Sequence, residues 1–123
     1  MVCISPDKPS DRLLRRGWRI ARVLRADIVA VYVANDKLTP DQQKVLDADF
    51  SLASRLNIRL EQVAGRDVAQ ALADYARKTQ VTEIVIGHSK RTAWQEAVQG
   101  SIINKLIRLV KGIDVLVMAN SVE

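Results

Sequence analysis

Apolar and polar positions along this chain follow two alternating rhythms. Short, nearly continuous apolar runs give way to longer stretches in which apolar residues return every three or four positions, the pattern of a parallel sheet covered by helices. Residues 2–5 (Val2, Cys3, Ile4, Ser5) form the first apolar run, and residues 6–10 form a polar turn. Residues 11–25 then place Leu13, Leu14, Gly17, Ile20, Ala21 and Leu24 on one face of a helix. Residues 28–33 are almost all apolar, as a strand buried on both faces of a parallel sheet must be. The next helix starts at Thr39, a capping residue, with Pro40 pre-set at its first position and Gln42 completing a capping box, and it runs to about Leu56.

Residues 58–63 alternate more than the second strand and fit a sheet edge, before Ala64, Gly65 and Arg66 turn the chain. Asp67 with Gln70 repeats the capping arrangement ahead of a helix carrying Val68, Ala71, Leu72, Tyr75 and Ala76. Ile84, Val85 and Ile86 make a fourth strand that runs into Gly87 and a loop over residues 88–100. Ser101 opens a last helix with Ile102, Ile103, Leu106, Ile107 and Val110, and residues 115–118 (Val115, Leu116, Val117, Met118) supply the fifth strand. The pattern predicts a single α/β domain over residues 1–123, a three-layer open parallel five-stranded sheet with helices on both faces. Crossovers in such sheets are right-handed, and ligands bind at the carboxyl ends of the strands where the strand order reverses. That brings residues 5–10 and 87–100 together.

A length of 123 residues leaves room for one core. Hydrophobic residues at 48% and charged residues at 27% exclude a mainly disordered chain. No apolar run reaches the roughly 20 residues that span a bilayer, and the N-terminus lacks a signal-peptide layout, so the expected location is the cytoplasm. Cys3 is the only cysteine and reads as a buried small hydrophobe. The net charge of +5 raises the question of an acidic partner: a nucleotide, an anionic membrane surface or an acidic protein face. Arg12, Arg15, Arg16, Arg19, Arg22 and Arg25 recur at helical spacing as one basic stripe. Either the stripe is a solvated helix face or it meets such a partner. Aromatics at 4% of the chain argue against nucleic acid.

The segment from Gly87 through His88, Ser89, Lys90, Arg91 and Trp94 to Gly100 and Ser101 carries the candidate chemistry. Gly87 and Gly100 permit close backbone approach to a ligand, and Ser101 offers a hydroxyl and free N–H groups at the positive end of a helix dipole, where an anion is favoured. The plainer reading makes Gly100 a turn and Ser101 an N-cap. Lys90 and Arg91 suit a phosphate or an acidic partner domain, and Trp94 suits a stacked base or the rim of the core. His88 is the only histidine and lacks evident co-ligands, so no metal site is expected. There is no G-x-x-x-x-G-K-[ST] loop, G-x-G-x-x-G fingerprint or G-x-S-x-G elbow, and no catalytic machinery is visible.

The same segment resembles the nucleotide loop of the universal stress protein family, G-x-x-G-x9-G-[ST], matched at Gly87 and at Gly100 with Ser101. The resemblance implies the strand order 3-2-1-4-5. Lys90 replaces the middle glycine, and Ser5 stands where the family places an adenine-contacting aspartate, so ATP is expected to bind weakly or not at all. Further stretches, including residues 10–17, 73–77, 81–87, 91–94, 100–103 and 113–117, resemble the universal stress protein domain of the KdpD family of potassium-responsive sensor histidine kinases. In some members that domain is similar to a cyclic di-AMP receptor marked by S-x-S and F-T-A-x-Y. Ser5 and Asp7 occupy the serine positions here, and Ala30 and Tyr32 match the second motif.

The resemblance implies a cytoplasmic regulatory domain belonging to a larger sensor kinase that controls potassium-transporter expression. Such a domain is not an enzyme by itself. It would signal through a ligand, a nucleotide or cyclic di-AMP, or through contact with the other domains of the parent kinase, and would meet a membrane only through that parent. The alternative is a stand-alone ATP-binding universal stress protein. A homodimer would use the short apolar edge over residues 115–118, which invites pairing.

Overall fold

The computed structural model describes residues 1–34, 37–88 and 102–119. Its elements in chain order are β1 (Val2–Ile4), α1 (Asp11–Leu24), β2 (Val29–Ala34), α2 (Pro40–Arg55), β3 (Arg59–Ala64), α3 (Val68–Lys78), β4 (Glu83–His88), α4 (Ile102–Leu109) and β5 (Asp114–Ala119). The strands form one parallel sheet in the order β3-β2-β1-β4-β5.

The apolar runs of β1, β2 and β4 take the central places because both of their faces are covered. Val2, Ile4, Ala30, Tyr32 and Val85 pack on the side of α1 and α2, and Cys3, Val29, Val31, Val33, Ile84 and Ile86 pack on the side of α3 and α4. The more polar β3 falls at one edge, as its alternation predicts. Cys3 is buried, and burial pushes its thiol up to about 12. Gly17 lets α1 pass close over the sheet: a Cβ there would stand 2.4 Å from Val2 Cγ2.

The helix starts differ in detail. At α2 the capping box is complete, with the Thr39 N–H donating to Gln42 Oε1 at 3.0 Å and the Gln42 N–H donating to Thr39 Oγ1 at 3.1 Å. At α3 only half of the expected box forms. The Gln70 N–H donates to Asp67 Oδ1 at 3.1 Å, but the Gln70 side chain donates forward to Asp74 at 2.9 Å. In a complete box the Gln70 amide oxygen would accept from the cap N–H; here the amide nitrogen instead donates to a carboxylate one turn on, a charge-assisted bond that draws the side chain away from the cap. Leu24, expected on the buried face of α1, is 54% exposed. Arg25 adopts a left-handed conformation (φ 54°) and ends the helix there. Among the described residues no helix is long and apolar enough to cross a membrane.

Candidate functional site

The carboxyl ends of β1 and β4 lie side by side, since Val2 pairs with Val85 and Cys3 with Ile86. Continuing that register brings Ser5 level with His88. Proline and small polar residues then carry the chain from β1 to α1, and hydrogen bonds to side chains rather than a backbone ladder hold this loop.

Ser5 is exposed immediately after β1; its hydroxyl donates to Asp7 Oδ2 at 3.2 Å and accepts from the Asp7 N–H at 3.2 Å. The other Asp7 oxygen accepts from Gln42 Nε2 at 3.1 Å, which ties the loop to the first turn of α2. At its far end the Ser10 N–H donates to both carboxylate oxygens of Asp49, each at 3.1 Å. Asp49 is 2% exposed, on the apolar face of α2. Burial pushes its carboxyl up to about 6, and the bonds from Ser10 oppose that rise without cancelling it. The loop is therefore fastened to α2 twice, at Gln42 and at Asp49.

The neighbouring strand contributes buried residues. Ala30 pairs in register with Val2 and Tyr32 with Ile4, and both are enclosed between the sheet and the helices α1 and α2. On the other side Gly87 and His88 are half-buried at the end of β4, in register with Met118 and Ala119 of β5. Ser89, Lys90, Arg91, Trp94, Gly100 and Ser101 lie outside the described residues.

The middle and the end of α4, which follows that segment, are fixed from α3. Lys105 forms an ion pair with Asp67, the cap of α3, and Arg77 donates to the Leu109 carbonyl at 2.8 Å while pairing with Asp74 at 2.9 Å. The ion pair and the Gln70 N–H hold the exposed Asp67 carboxyl below its ordinary range. Among the described residues no three His, Cys, Asp or Glu side chains are grouped to hold a metal. The buried Cys3 thiol, raised as it is, supplies no nucleophile.

The structure thus brings Ser5, Asp7, Gly87 and His88 to one end of the sheet, with Tyr32 one strand away and Ala30 deeper in the core. Sequence reasoning missed Gln42 as a loop anchor and missed Asp49 altogether. A signal for Asp49 exists: it falls at helical spacing with the apolar Leu46, Phe50 and Ala53, an unusual place for a carboxylate.

Residues 1–118 match the sequence model of the universal stress protein family. The chain is 31% identical over 122 residues to a KdpD-type sensor protein of Synechocystis sp., covering 98% of this chain and 33% of that protein. It is 32% identical over 116 residues to the sensor protein KdpD of Mycobacterium tuberculosis, covering 94% of this chain and 14% of that protein. The chain therefore spans a third or less of the length of these relatives. In three dimensions it is similar to a crystal structure of a universal stress protein in complex with cAMP, with a TM-score of 0.73 at 20% identity, covering 98% of this chain and 94% of that one. With a family match from end to end of the described sheet, and the strand order that the match implies, this chain belongs to the universal stress protein family.

Proposed function

We propose that this domain is a cytoplasmic sensory module of a KdpD-type sensor histidine kinase controlling potassium-transporter expression, and that it performs no catalysis itself. The observation that carries this reading is the similarity to KdpD sensor proteins over 94% or more of the chain. Its partners are then the other domains of the parent kinase. A second copy is a further partner, through β5, where Leu116 and Val117 are 37% and 40% exposed.

The ligand site is the end of the sheet where the β1–α1 loop meets Gly87 and His88 of β4, and its ligand is a nucleotide or cyclic di-AMP. The fold neighbour that holds cAMP supports a small nucleotide. Adenosine triphosphate is the poorer candidate. Ser5 lacks the carboxylate that would accept from adenine, a loss of about 1–3 kcal/mol or up to about a hundredfold in affinity. Lys90 adds a side chain where a triphosphate loop needs close backbone approach.

Calorimetric titration with ATP, cyclic di-AMP and potassium tests this reading, run on the parent beside a Ser5→Asp, Lys90→Gly double variant. Weak or absent ATP binding in the parent, with a gain in the double variant, is the expected result. Micromolar ATP affinity in the parent overturns it in favour of a stand-alone ATP-binding universal stress protein, and the absence of any gain refutes the role given to the two substitutions.

A further inference from the structure

We propose that the outward face of α1 is a docking surface for a lipid bilayer carrying anionic phospholipid headgroups. The helix buries Leu13, Leu14 and Gly17 against the sheet and turns Arg12, Arg15, Arg16, Arg19 and Arg22 to solvent, with Arg25 exposed at its end. Arg12, Arg16, Arg19 and Val23 are spaced so that they fall in one row along the outer face. Val23 is 82% exposed at the end of that row, and Leu24 beside it is 54% exposed.

What sets these cations apart is their number on one exposed helix face. Arg77 and Lys105 hold carboxylates, whereas among the described residues no guanidinium of α1 makes an ion pair. Arg22 lies over the Trp18 ring at 4.7 Å, which extends the basic surface across a half-buried aromatic. The only acidic residue of the helix, Asp11, sits in its first turn.

A row of arginines attracts any polyanion, and it is the aliphatic residues that select among them. Val23 projects from a convex helix, where a shaped protein pocket would have to be built to receive it but a fluid headgroup layer simply yields. Arginine stems lie along the interface while their guanidinia reach phosphates, and an apolar tip enters the acyl boundary. A nucleic acid would find no exposed aromatic here to stack its bases upon. Each arginine near an anionic surface raises affinity about fivefold.

The test is co-sedimentation of the 123-residue chain with vesicles of phosphatidylcholine alone, or of phosphatidylcholine mixed with phosphatidylserine. Binding is expected on the mixed vesicles only, and it is expected to disappear at about 1 M salt, where the screening length is about 3 Å. The Arg12→Gln, Arg16→Gln, Arg19→Gln variant, its fold checked by circular dichroism, is expected to bind about a hundredfold more weakly. A charge-matched control, Lys78→Gln, Arg108→Gln, Lys111→Gln, removes cations from the α3 and α4 side and is expected to bind as the parent does. Val23→Ser is expected to weaken vesicle binding about fivefold while leaving binding to poly-glutamate and to a DNA duplex unchanged.

Equal binding to neutral and anionic vesicles, or no binding to either, overturns the proposal. So does equal loss in the α1 variant and the charge-matched control. A duplex or poly-glutamate held as tightly as the mixed vesicles, with no effect of Val23→Ser, assigns the face to a polyanion other than a bilayer and overturns it as well.

Discussion

Replacing Asp49 with asparagine isolates the titration of one buried carboxyl. Asp49 is 2% exposed, and its carboxyl is raised from 3.8 to about 6 because burial disfavours the charge more than the Ser10 bonds favour it. The folded chain therefore holds this proton more tightly than the unfolded chain does. Folding takes up a proton between about pH 4 and pH 6, so this group's contribution is fully present below the unfolded value and is lost as pH rises through the folded one. The displacement corresponds to about 3 kcal/mol across that window. Asp49→Asn keeps the volume and one acceptor for the Ser10 N–H while removing the charge. The asparagine variant is expected to gain on the parent by up to about 3 kcal/mol between pH 4 and pH 7. Asp49→Ala instead orphans the Ser10 N–H and is expected to cost about 1–3 kcal/mol. Urea unfolding at a series of pH values, with an unchanged dependence on denaturant, measures both differences. If the gap between parent and asparagine variant stays flat, or if the parent gains as pH rises, then the charge at the start of α1 is net stabilising and the reasoning from burial fails.

Gly17→Ala gains about 1 kcal/mol of helix propensity but drives a methyl to 2.4 Å from Val2 Cγ2, in a central strand that cannot withdraw. Overpacking of this kind costs about 1–3 kcal/mol, so a net loss is expected, and adding Val2→Ala should recover part of it as a measurable coupling. Strict additivity in thermal or urea melts would refute that close contact. Val117→Lys places a charge on the exposed β5 edge and is expected to abolish any dimer seen by light scattering; a variant that dimerises as the parent does removes β5 from the interface.

The elements are plain in the sequence because strands buried on both faces write continuous apolar runs, and because Thr39 with Pro40 announces a helix start by its chemistry alone. Their order in the sheet is another matter. A run such as residues 28–33 is apolar on both faces and carries no information on which neighbour it takes, so the order 3-2-1-4-5 rested on family resemblance. At the site, Ser5 and Asp7 were found through motif positions, yet the bonds they make, to each other and to Gln42, depend on where α2 passes the loop. Asp49 escaped because a carboxylate in a helix is ordinarily solvated, and only its register with Leu46, Phe50 and Ala53 sets it apart. Ser89, Lys90, Arg91, Trp94, Gly100 and Ser101 stand on the sequence alone.

The central position of β1 bears on how the domain is made. Within this domain translation delivers β1, α1, β2, α2 and β3 before β4, and these can pair as they emerge, but the other side of β1 waits for β4, whose Glu83 carbonyl accepts from the Met1 nitrogen 82 positions away. Until then Val2, Cys3 and Ile4 offer an open apolar edge on the nascent half-domain. That seam is the longest-range pairing in the sheet and carries its largest loop-closure cost, so a chain stalled between β3 and β4 would be the form most prone to pair with the wrong strand.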